Sequence, residues 1–190
     1  SKFRAGISND ESAEFPVESG RYHLYVSLAC PWAHRTLIFR KLKSLEEHID
    51  VSVVHPNMLD KGWEFGDYPG ATGDNLYGFD YAYQIYTKDN PNITTRVTVP
   101  ILWDKKAERI VNNESAEIIR IFNSEFNTLT GNKHNYYPDA LKKSIDQWNQ
   151  QNYDAINNGV TAVGIINGTK QHSCLWEIFS DKGSGTLIRK

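Results

Sequence analysis

Cys30 is the residue whose type and position most clearly predict chemistry. The aromatic and β-branched run from Tyr22 to Ser27 predicts a strand, and Pro31 sets φ for a first helical turn directly after the cysteine. We therefore expect the sulfur to face the unpaired N–H groups at the positive end of a helix. This position favours the thiolate, which is the nucleophilic form of cysteine. In the absence of that context, a single cysteine is more often buried and inert.

The residues after Cys30 restrict that chemistry to one thiol. Ala33 stands where a dithiol C-x-x-C motif has its second cysteine, so a disulfide within this motif is excluded. A dithiol oxidoreductase is accordingly the weakest of the functions considered. Cys30 would instead form a mixed disulfide that an external thiol resolves, and glutathione is the natural candidate. Cys174, in a polar tail, is interpreted as a free or structural thiol.

A proline at the start of a predicted strand indicates a second part of the site. Pro100 follows Val99, and this position suggests a cis peptide bond, with an ordinary trans proline as the alternative. In thioredoxin-like folds such a turn lies beside the cysteine. It exposes the backbone of the preceding residue, here Val99, which can pair with the peptide-like middle of glutathione.

The predicted start of a helix at Glu114 and Ser115 forms a third part of the candidate site. Free N–H groups and the Ser115 hydroxyl could hold a carboxylate there, while Glu114 could accept an ammonium group. Both groups occur at the γ-glutamyl end of glutathione. The alternative is helix capping without any ligand. Arg96 and Trp63 could add a cationic and an aromatic wall, or could equally be surface and core residues.

Composition and charge argue against several other classes. The 21 Lys and Arg residues are balanced by 23 Asp and Glu residues, and the net charge of -2 offers no field that would attract nucleic acid. No apolar run approaches the roughly 20 residues of a membrane span, and the polar first residues do not follow a signal-peptide pattern. We therefore expect a cytoplasmic protein. His34 lacks a clustered partner, so no metal site is predicted.

The remaining pattern predicts the elements that would position these residues. Residues 31–45 have helical spacing, with an apolar side and a basic surface. The apolar positions are Ala33, Leu37, Ile38, Leu42 and Leu45, and the surface positions are Arg35, Arg40, Lys41 and Lys43. Further strands are predicted at residues 49–54, 97–103 and 109–112, with helices near residues 80–87 and 114–126 and a long glycine-rich loop from residue 57. This order is that of a thioredoxin-like domain, an α/β sandwich with a mixed sheet.

A longer pattern surrounds the candidate residues. The stretch from Gly20 to Arg35, with Cys30-Pro31-Trp32-Ala33 at its centre, closely resembles the active-site signature of the glutathionyl-hydroquinone reductases, the Xi-class, omega-like glutathione transferases. The likeness continues through residues 52–56, 62–63, 76–79, 96–100, 102–106 and 110–120, and it covers roughly residues 3–160.

The resemblance implies roles for the candidate residues. Cys30 would be the nucleophile, and the residues around glutathione would be Trp63, Arg96, Val99, Pro100, Glu114 and Ser115. The implied reaction is reductive: the thiolate attacks the sulfur of a glutathionylated aromatic, a hydroquinone leaves, and a second glutathione releases oxidised glutathione. Omega-like relatives also act on mixed disulfides. Members of the family are often dimers, so a homodimer is an open expectation.

Composition and helical spacing, together with the resemblance, predict the domain organisation. Residues 1–126 would form the thioredoxin-like glutathione-binding domain, residues 127–137 a linker, and residues 138–190 a partial helical region, the start of an all-α glutathione-transferase domain. The family pattern ends after Val160, so we expect a truncated or frame-altered member. Because the substrate domain is then incomplete, the alternative function is a catalytically silent glutathione-binding or interaction module.

Overall fold

The computed structural model describes residues 1–58, 60–158, 162–165 and 186–189. The chain divides into two compact units, Ser1–Tyr136 and Tyr137–Lys190. In chain order the first unit contains β1 (Tyr22–Val26), α1 (Pro31–Leu42), β2 (Ile49–Val53), α2 (Tyr83–Asp89), β3 (Ile101–Asp104), β4 (Arg109–Asn112), α3 (Ser115–Ser124) and α4 (Asn127–Thr130). The order through α3 is the one that the sequence predicts.

The four strands form one mixed sheet in the order β2-β1-β3-β4. Strand β1 pairs parallel with β2 and antiparallel with β3, so that Leu24 lies opposite both Val51 and Leu102. Strand β4 pairs antiparallel with β3 at the edge of the sheet. This mixed sheet with flanking helices confirms the predicted thioredoxin-like fold.

Alternate residues of the strands enter two separate apolar clusters, because successive side chains of a strand point to opposite faces. On one face Leu24 and Leu102 pack with Ala33 of α1 and Phe122 of α3. On the other face lie Tyr25, Ile101, Trp103 and Ile110 together with Ile85 and Tyr86 of α2. The sheet is thereby enclosed between two cores, and the first one supports the helices that carry the reactive residues.

Helix α1 is shorter than the spacing predicts, and not all of its predicted apolar positions are buried. It ends at Leu42, because Ser44 adopts a left-handed φ of 57°, which terminates a right-handed helix. Ala33 and Leu45 are buried as expected, whereas Ile38 and Leu42 are 46% and 41% exposed. The predicted apolar side of this helix is therefore only partly a core side.

The expectation that Lys43 lies on the surface is wrong. Its side chain is fully buried directly after α1, where its ammonium group donates hydrogen bonds to the backbone carbonyls of Asn132 and His134. Burial lowers the pKa of this ammonium group. A lysine at a helix C-terminus is favoured by the helix dipole, and here it also fixes the chain that follows α4.

Strand β3 begins at Ile101 and not at residue 97 as predicted. Pro100 has no N–H to contribute to a ladder. The backbone of Thr98 bonds to a side chain: its carbonyl accepts a hydrogen bond from the Tyr86 hydroxyl at 2.9 Å, and its N–H donates to the same oxygen at 3.2 Å. Residues 97–100 are consequently a turn that approaches the sheet without joining it.

The second unit begins with a short 3-10 turn at Asp139–Leu141 and continues into α5 (Lys142–Asn157). Strands β5 (Ala162–Ile165) and β6 (Thr186–Arg189) then pair antiparallel, with Val163 opposite Ile188. The region predicted as partly helical thus also contains a strand pair, consistent with its β-branched residues. The helices of the described residues are all too short or too polar to span a lipid bilayer.

Candidate active site

Cys30 lies between β1 and α1, as the sequence predicts. It is the N-cap of α1 with an extended backbone, Pro31 occupies the first helical turn, and that turn contains no acidic residue. The carbonyl of Cys30 accepts the N–H of His34 at 2.9 Å, which closes the first turn. Cys30 is therefore a partly exposed residue at a helix start whose first turn contains no carboxylate, and its sulfur makes no capping hydrogen bond to that turn.

The turn at Val99 and Pro100 lies beside this sulfur. The Val99–Pro100 peptide bond is cis, as the sequence suggests. The Sγ atom of Cys30 is 3.7 Å from the Val99 carbonyl oxygen, a distance at which a thiol donates a weak hydrogen bond. Val99 and Pro100 are both buried. Of the predicted site segments, this one directly contacts the cysteine.

Glu114 and Ser115 lie at the start of α3, as expected. Glu114 is the N-cap, and its Oε1 atom accepts the N–H of Ala116 at 3.2 Å. Its Oε2 atom accepts a hydrogen bond from the Ser1 hydroxyl at 2.9 Å. The capping interaction that was the alternative interpretation is therefore present, made by Glu114 itself. Glu114 retains a partly exposed carboxylate.

Arg35 connects this helix start to α1, a role that the sequence analysis missed by placing Arg35 on the surface. The guanidinium donates two hydrogen bonds to the Ser115 Oγ atom, at 2.6 and 3.0 Å, and lies 3.8 Å from a carboxylate oxygen of Glu114. It also lies 5.0 Å from the centre of the Trp32 ring. The spacing of Trp32 and Arg35, three residues apart on one helix side, is the sequence signal that could have indicated a shared environment.

The electrostatics of Arg35 follow from this position. Burial lowers the pKa of the guanidinium, and the nearby charges of Glu114 and Cys30 oppose that shift. An arginine stays protonated through the neutral range even so. The group thus supplies a fixed positive charge between the cysteine and the start of α3.

Trp63 and Arg96 differ in burial and in their contacts with the other candidate residues. Trp63 is partly buried and packs against the same apolar core as Cys30. Arg96 is exposed, three residues before Val99. Within the part of the chain that the structure describes, Arg96 forms no hydrogen bond or ion pair with the other candidate residues. The structure therefore groups Cys30 with Val99 and Pro100, and Glu114 with Ser115 and Arg35, but leaves Arg96 at the margin.

Residues 1–58, 60–158, 162–165 and 186–189 contain no cluster of three or more His, Cys, Asp and Glu side chains that could hold a metal ion. His34, which the sequence raised as an isolated candidate, is exposed on α1. The interpretation of Cys174 lies outside the described residues.

Comparison with known proteins agrees with this arrangement. The family model "Glutathione S-transferase, N-terminal domain" matches residues 29–125. The chain is 59% identical over 152 residues to glutathionyl-hydroquinone reductase YqjG of Escherichia coli, covering 80% of this chain and 46% of that protein. It thus spans about half the length of this curated relative.

Solved structures show the same likeness. The glutathione-bound structure of Escherichia coli YqjG superimposes with a TM-score of 0.79 at 55% identity, covering 83% of this chain and 53% of that one. Glutathione transferase Xi 1 of Trametes versicolor superimposes with a TM-score of 0.80 at 50% identity, covering 90% and 59%. These neighbours are a glutathione transferase homologue and a Xi glutathione transferase.

A second, short similarity concerns a different kind of enzyme. A stretch of 37 residues, 20% of this chain, is 65% identical to acetylglutamate kinase of Pelagibacter ubique and covers 13% of that protein. This stretch does not alter the assignment of residues 29–125, which contain the candidate site. The match over those residues, together with the fold of the first unit, shows that this chain belongs to the glutathione S-transferase family.

Proposed function

We propose that this chain is a glutathione-dependent thiol oxidoreductase of the omega/Xi type, which reduces glutathionyl-hydroquinones or mixed disulfides through Cys30. The observation that carries the proposal is the position of Cys30, a partly exposed residue at the start of α1 whose sulfur is 3.7 Å from the Val99 carbonyl oxygen. This position supports a role for Cys30 as nucleophile beside a turn whose backbone would pair with a peptide-like ligand.

Glutathione would bind across the two groups of residues described above. The Ser115 hydroxyl accepts two N–H groups of Arg35, which leaves its own hydrogen free to donate to the γ-glutamyl carboxylate. The Glu114 carboxylate would accept the ammonium group of the same residue of glutathione. The cysteinyl part would then lie beside Val99, in a groove between the Val99–Pro100 turn and the start of α3, with Trp63 and Arg96 as its aromatic and cationic walls.

The reaction proceeds in two steps. The Cys30 thiolate attacks the sulfur of the glutathionyl-hydroquinone, so that a sulfur–sulfur bond forms, the bond between sulfur and aromatic carbon breaks, and that carbon takes up a proton. The hydroquinone leaves reduced. A second glutathione thiolate then attacks the mixed disulfide, which releases oxidised glutathione and restores the Cys30 thiolate. One glutathione is consumed, and its thiol proton balances the one on the product.

A catalytically silent binding module is less favoured. Binding alone does not require a nucleophile at a helix start, and the relative that this chain resembles at 59% identity is named a reductase. The short match to a kinase supports no second function, because a stretch that covers 13% of that protein is too small to form a nucleotide site and a substrate site.

Mass spectrometry of the protein after exposure to oxidised glutathione tests the proposal. We expect a glutathione adduct on Cys30 in the unaltered protein and no such adduct in Cys30→Ser. Cys174→Ser is the matched control, because it removes the other cysteine and should leave the adduct on Cys30 intact. A Cys30→Ser variant that retains full reductase or thioltransferase activity would rule out the mechanism.

The nature of the substrate is tested separately. We propose a glutathionylated small aromatic, and reduction of a glutathionylated benzohydroquinone can be followed by separation of the released hydroquinone. Release that requires both Cys30 and added glutathione would support an aromatic substrate. Turnover of a glutathionylated peptide without any release of hydroquinone would instead assign the chain to mixed disulfides.

We also propose that the chain works in the cytoplasm, where reduced glutathione is available, and that it pairs with a second copy. Ile38 and Leu42, both exposed on α1, are apolar side chains that a partner could cover. Light scattering coupled to size-exclusion chromatography should give twice the mass of one chain. A mass of one chain at high protein concentration would contradict the pairing.

A further inference from the structure

A single buried hydroxyl contacts the two segments that border the proposed groove. Tyr86 of α2 is 1% exposed, and its hydroxyl forms three hydrogen bonds of 3.2 Å or less and a longer contact of 3.4 Å with the Thr98 hydroxyl. It donates to the Thr98 carbonyl at 2.9 Å, and it accepts the Thr98 N–H at 3.2 Å and the Asn113 side-chain amide at 3.1 Å. A hydroxyl has one hydrogen and two lone pairs, so this group is fully used.

We propose that Tyr86 is a positioning residue for glutathione, one that holds the two sides of the groove at a fixed separation. The inference rests on the proposed function. Thr98 directly precedes Val99, whose carbonyl is 3.7 Å from the Cys30 sulfur. Asn113 directly precedes Glu114, the N-cap of α3. The Tyr86 oxygen therefore joins the turn beside the nucleophile to the helix start that would receive the γ-glutamyl group, and it does so with shorter bonds than the direct one from the Asn113 amide to the Thr98 hydroxyl, at 3.4 Å.

The Asn113 side of this connection is itself fixed. Its Oδ1 atom accepts the N–H of Phe3 at 3.3 Å, and its own N–H donates to the Phe3 carbonyl at 3.1 Å. The Phe3 ring also packs edge-on against Tyr86, with ring centres 5.7 Å apart. A rotation of Asn113 away from the Tyr86 hydroxyl would therefore disrupt bonds to the N-terminal segment as well.

The physical consequence is preorganisation. A ligand that spans two segments loses affinity when those segments must be ordered at the moment of binding. Movement of either side of the groove would leave a buried polar group of Tyr86, Thr98 or Asn113 without its partner, which is unfavourable. The hydroxyl thus acts on glutathione through backbone positions that it holds, without contacting the ligand.

Tyr86→Phe is the direct test, because it removes the hydroxyl and keeps the ring. Tyr22→Phe is a matched control: Tyr22 is fully buried in the other core, and its hydroxyl donates to the Pro16 carbonyl at 2.6 Å. Both variants should lower the unfolding midpoint. Calorimetry should show glutathione binding weakened about tenfold in Tyr86→Phe, and by less than about twofold in Tyr22→Phe.

Equal affinities in the two variants would overturn the inference. An amide NMR spectrum of the ligand-free protein separates this result from a failure of the proposed function. In Tyr86→Phe the resonances of both Val99 and Glu114 should shift, and in Tyr22→Phe neither should. If the unaltered protein does not bind glutathione, the proposed function fails, but a joint shift still supports the coupling; the absence of a shift at either position overturns it.

Discussion

The two faces of the sheet are built from different chemistry. The face covered by α1 and α3 is filled by aliphatic and aromatic side chains, such as Leu24, Leu102 and Phe122. The face covered by α2 combines isoleucines with large side chains that have polar tips, namely Tyr25, Tyr86 and Trp103. On that face His23 bonds to Ser52 at 2.8 Å, and the Trp103 ring N–H donates to the Tyr77 hydroxyl at 3.0 Å.

Because of this difference, we expect one face to contribute mainly to stability and the other to hold loops in position. Apolar burial is favourable without directional constraint, so the α1/α3 face stabilises the fold without fixing loops at defined positions. Hydrogen bonds are directional, so the α2 face can hold loops at defined positions even though each bond adds little net stability. The turn before β3 illustrates the second case, since the Tyr86 hydroxyl bonds the backbone of Thr98.

The largest loss of stability is expected from a substitution on the face of the sheet that α1 and α3 cover. Phe122 is fully buried and packs edge-on against Phe126 with ring centres 6.1 Å apart. Phe122→Ala should lower the free energy of unfolding by about 3–5 kcal/mol, because it leaves a cavity where the ring was. Urea unfolding measures this loss. Ser124→Ala, at an exposed position on α3, is the control and should cost less than about 0.5 kcal/mol. Similar losses in the two variants would contradict the division between core and surface on this side.

The second largest effect on stability is expected at His23, which lies on the α2 face of the sheet. Burial lowers the pKa of His23 to about 4, and the carboxylates of Asp50 and Asp74 oppose this shift only in part. The unfolded chain binds a proton at this histidine near pH 6.5. Its contribution to stability is therefore fully present above about pH 6.5 and is lost as the pH falls toward 4.

The free energy of unfolding should accordingly fall by about 2 kcal/mol between pH 7 and pH 5 through His23 alone. His23→Gln, which can still bond to Ser52, should flatten this dependence. His34→Gln, at an exposed position, should leave it unchanged. If the unaltered protein and His23→Gln lose the same free energy over this range, another group is responsible.

The sequence is informative wherever a local pattern determines structure. The run before Cys30 and the proline after it define a strand, a helix start and the N-cap between them. The start of α3 at Ser115 is equally visible, because an apolar helical pattern follows directly. These local signals place both ends of the candidate site within one residue.

Side-chain environment depends on contacts between distant segments, and there the sequence is less informative. Lys43 and Arg35 look like surface cations because their helical neighbours include other basic residues. Their partners are 80 or more residues away: Arg35 bonds to Ser115, and Lys43 to the carbonyls of Asn132 and His134. The bond from Tyr86 to Asn113 spans 27 residues and has no local pattern either.

The smallest loss of stability is expected at Tyr77. Its hydroxyl lies on the α2 face and holds a loop that is not part of the groove. Tyr77 is partly buried, and its hydroxyl accepts the ring N–H of Trp103, which is itself fully buried. Tyr77→Phe leaves that N–H without its partner and should cost about 1 kcal/mol of unfolding free energy. The edge-on packing of the two rings, with centres 6.0 Å apart, is retained.

Tyr83→Phe is the control for this change, because Tyr83 is 41% exposed and its loss of a hydroxyl should be nearly neutral. Glutathione affinity should stay the same in both variants, since the Tyr77 bond ends on β3 and not on a residue of the groove. Chemical unfolding and calorimetry on the same samples measure the two quantities. A loss of affinity in Tyr77→Phe comparable to that in Tyr86→Phe would show that any disturbance of the α2 face reaches the groove, and positioning would then belong to the whole face and not to one hydroxyl.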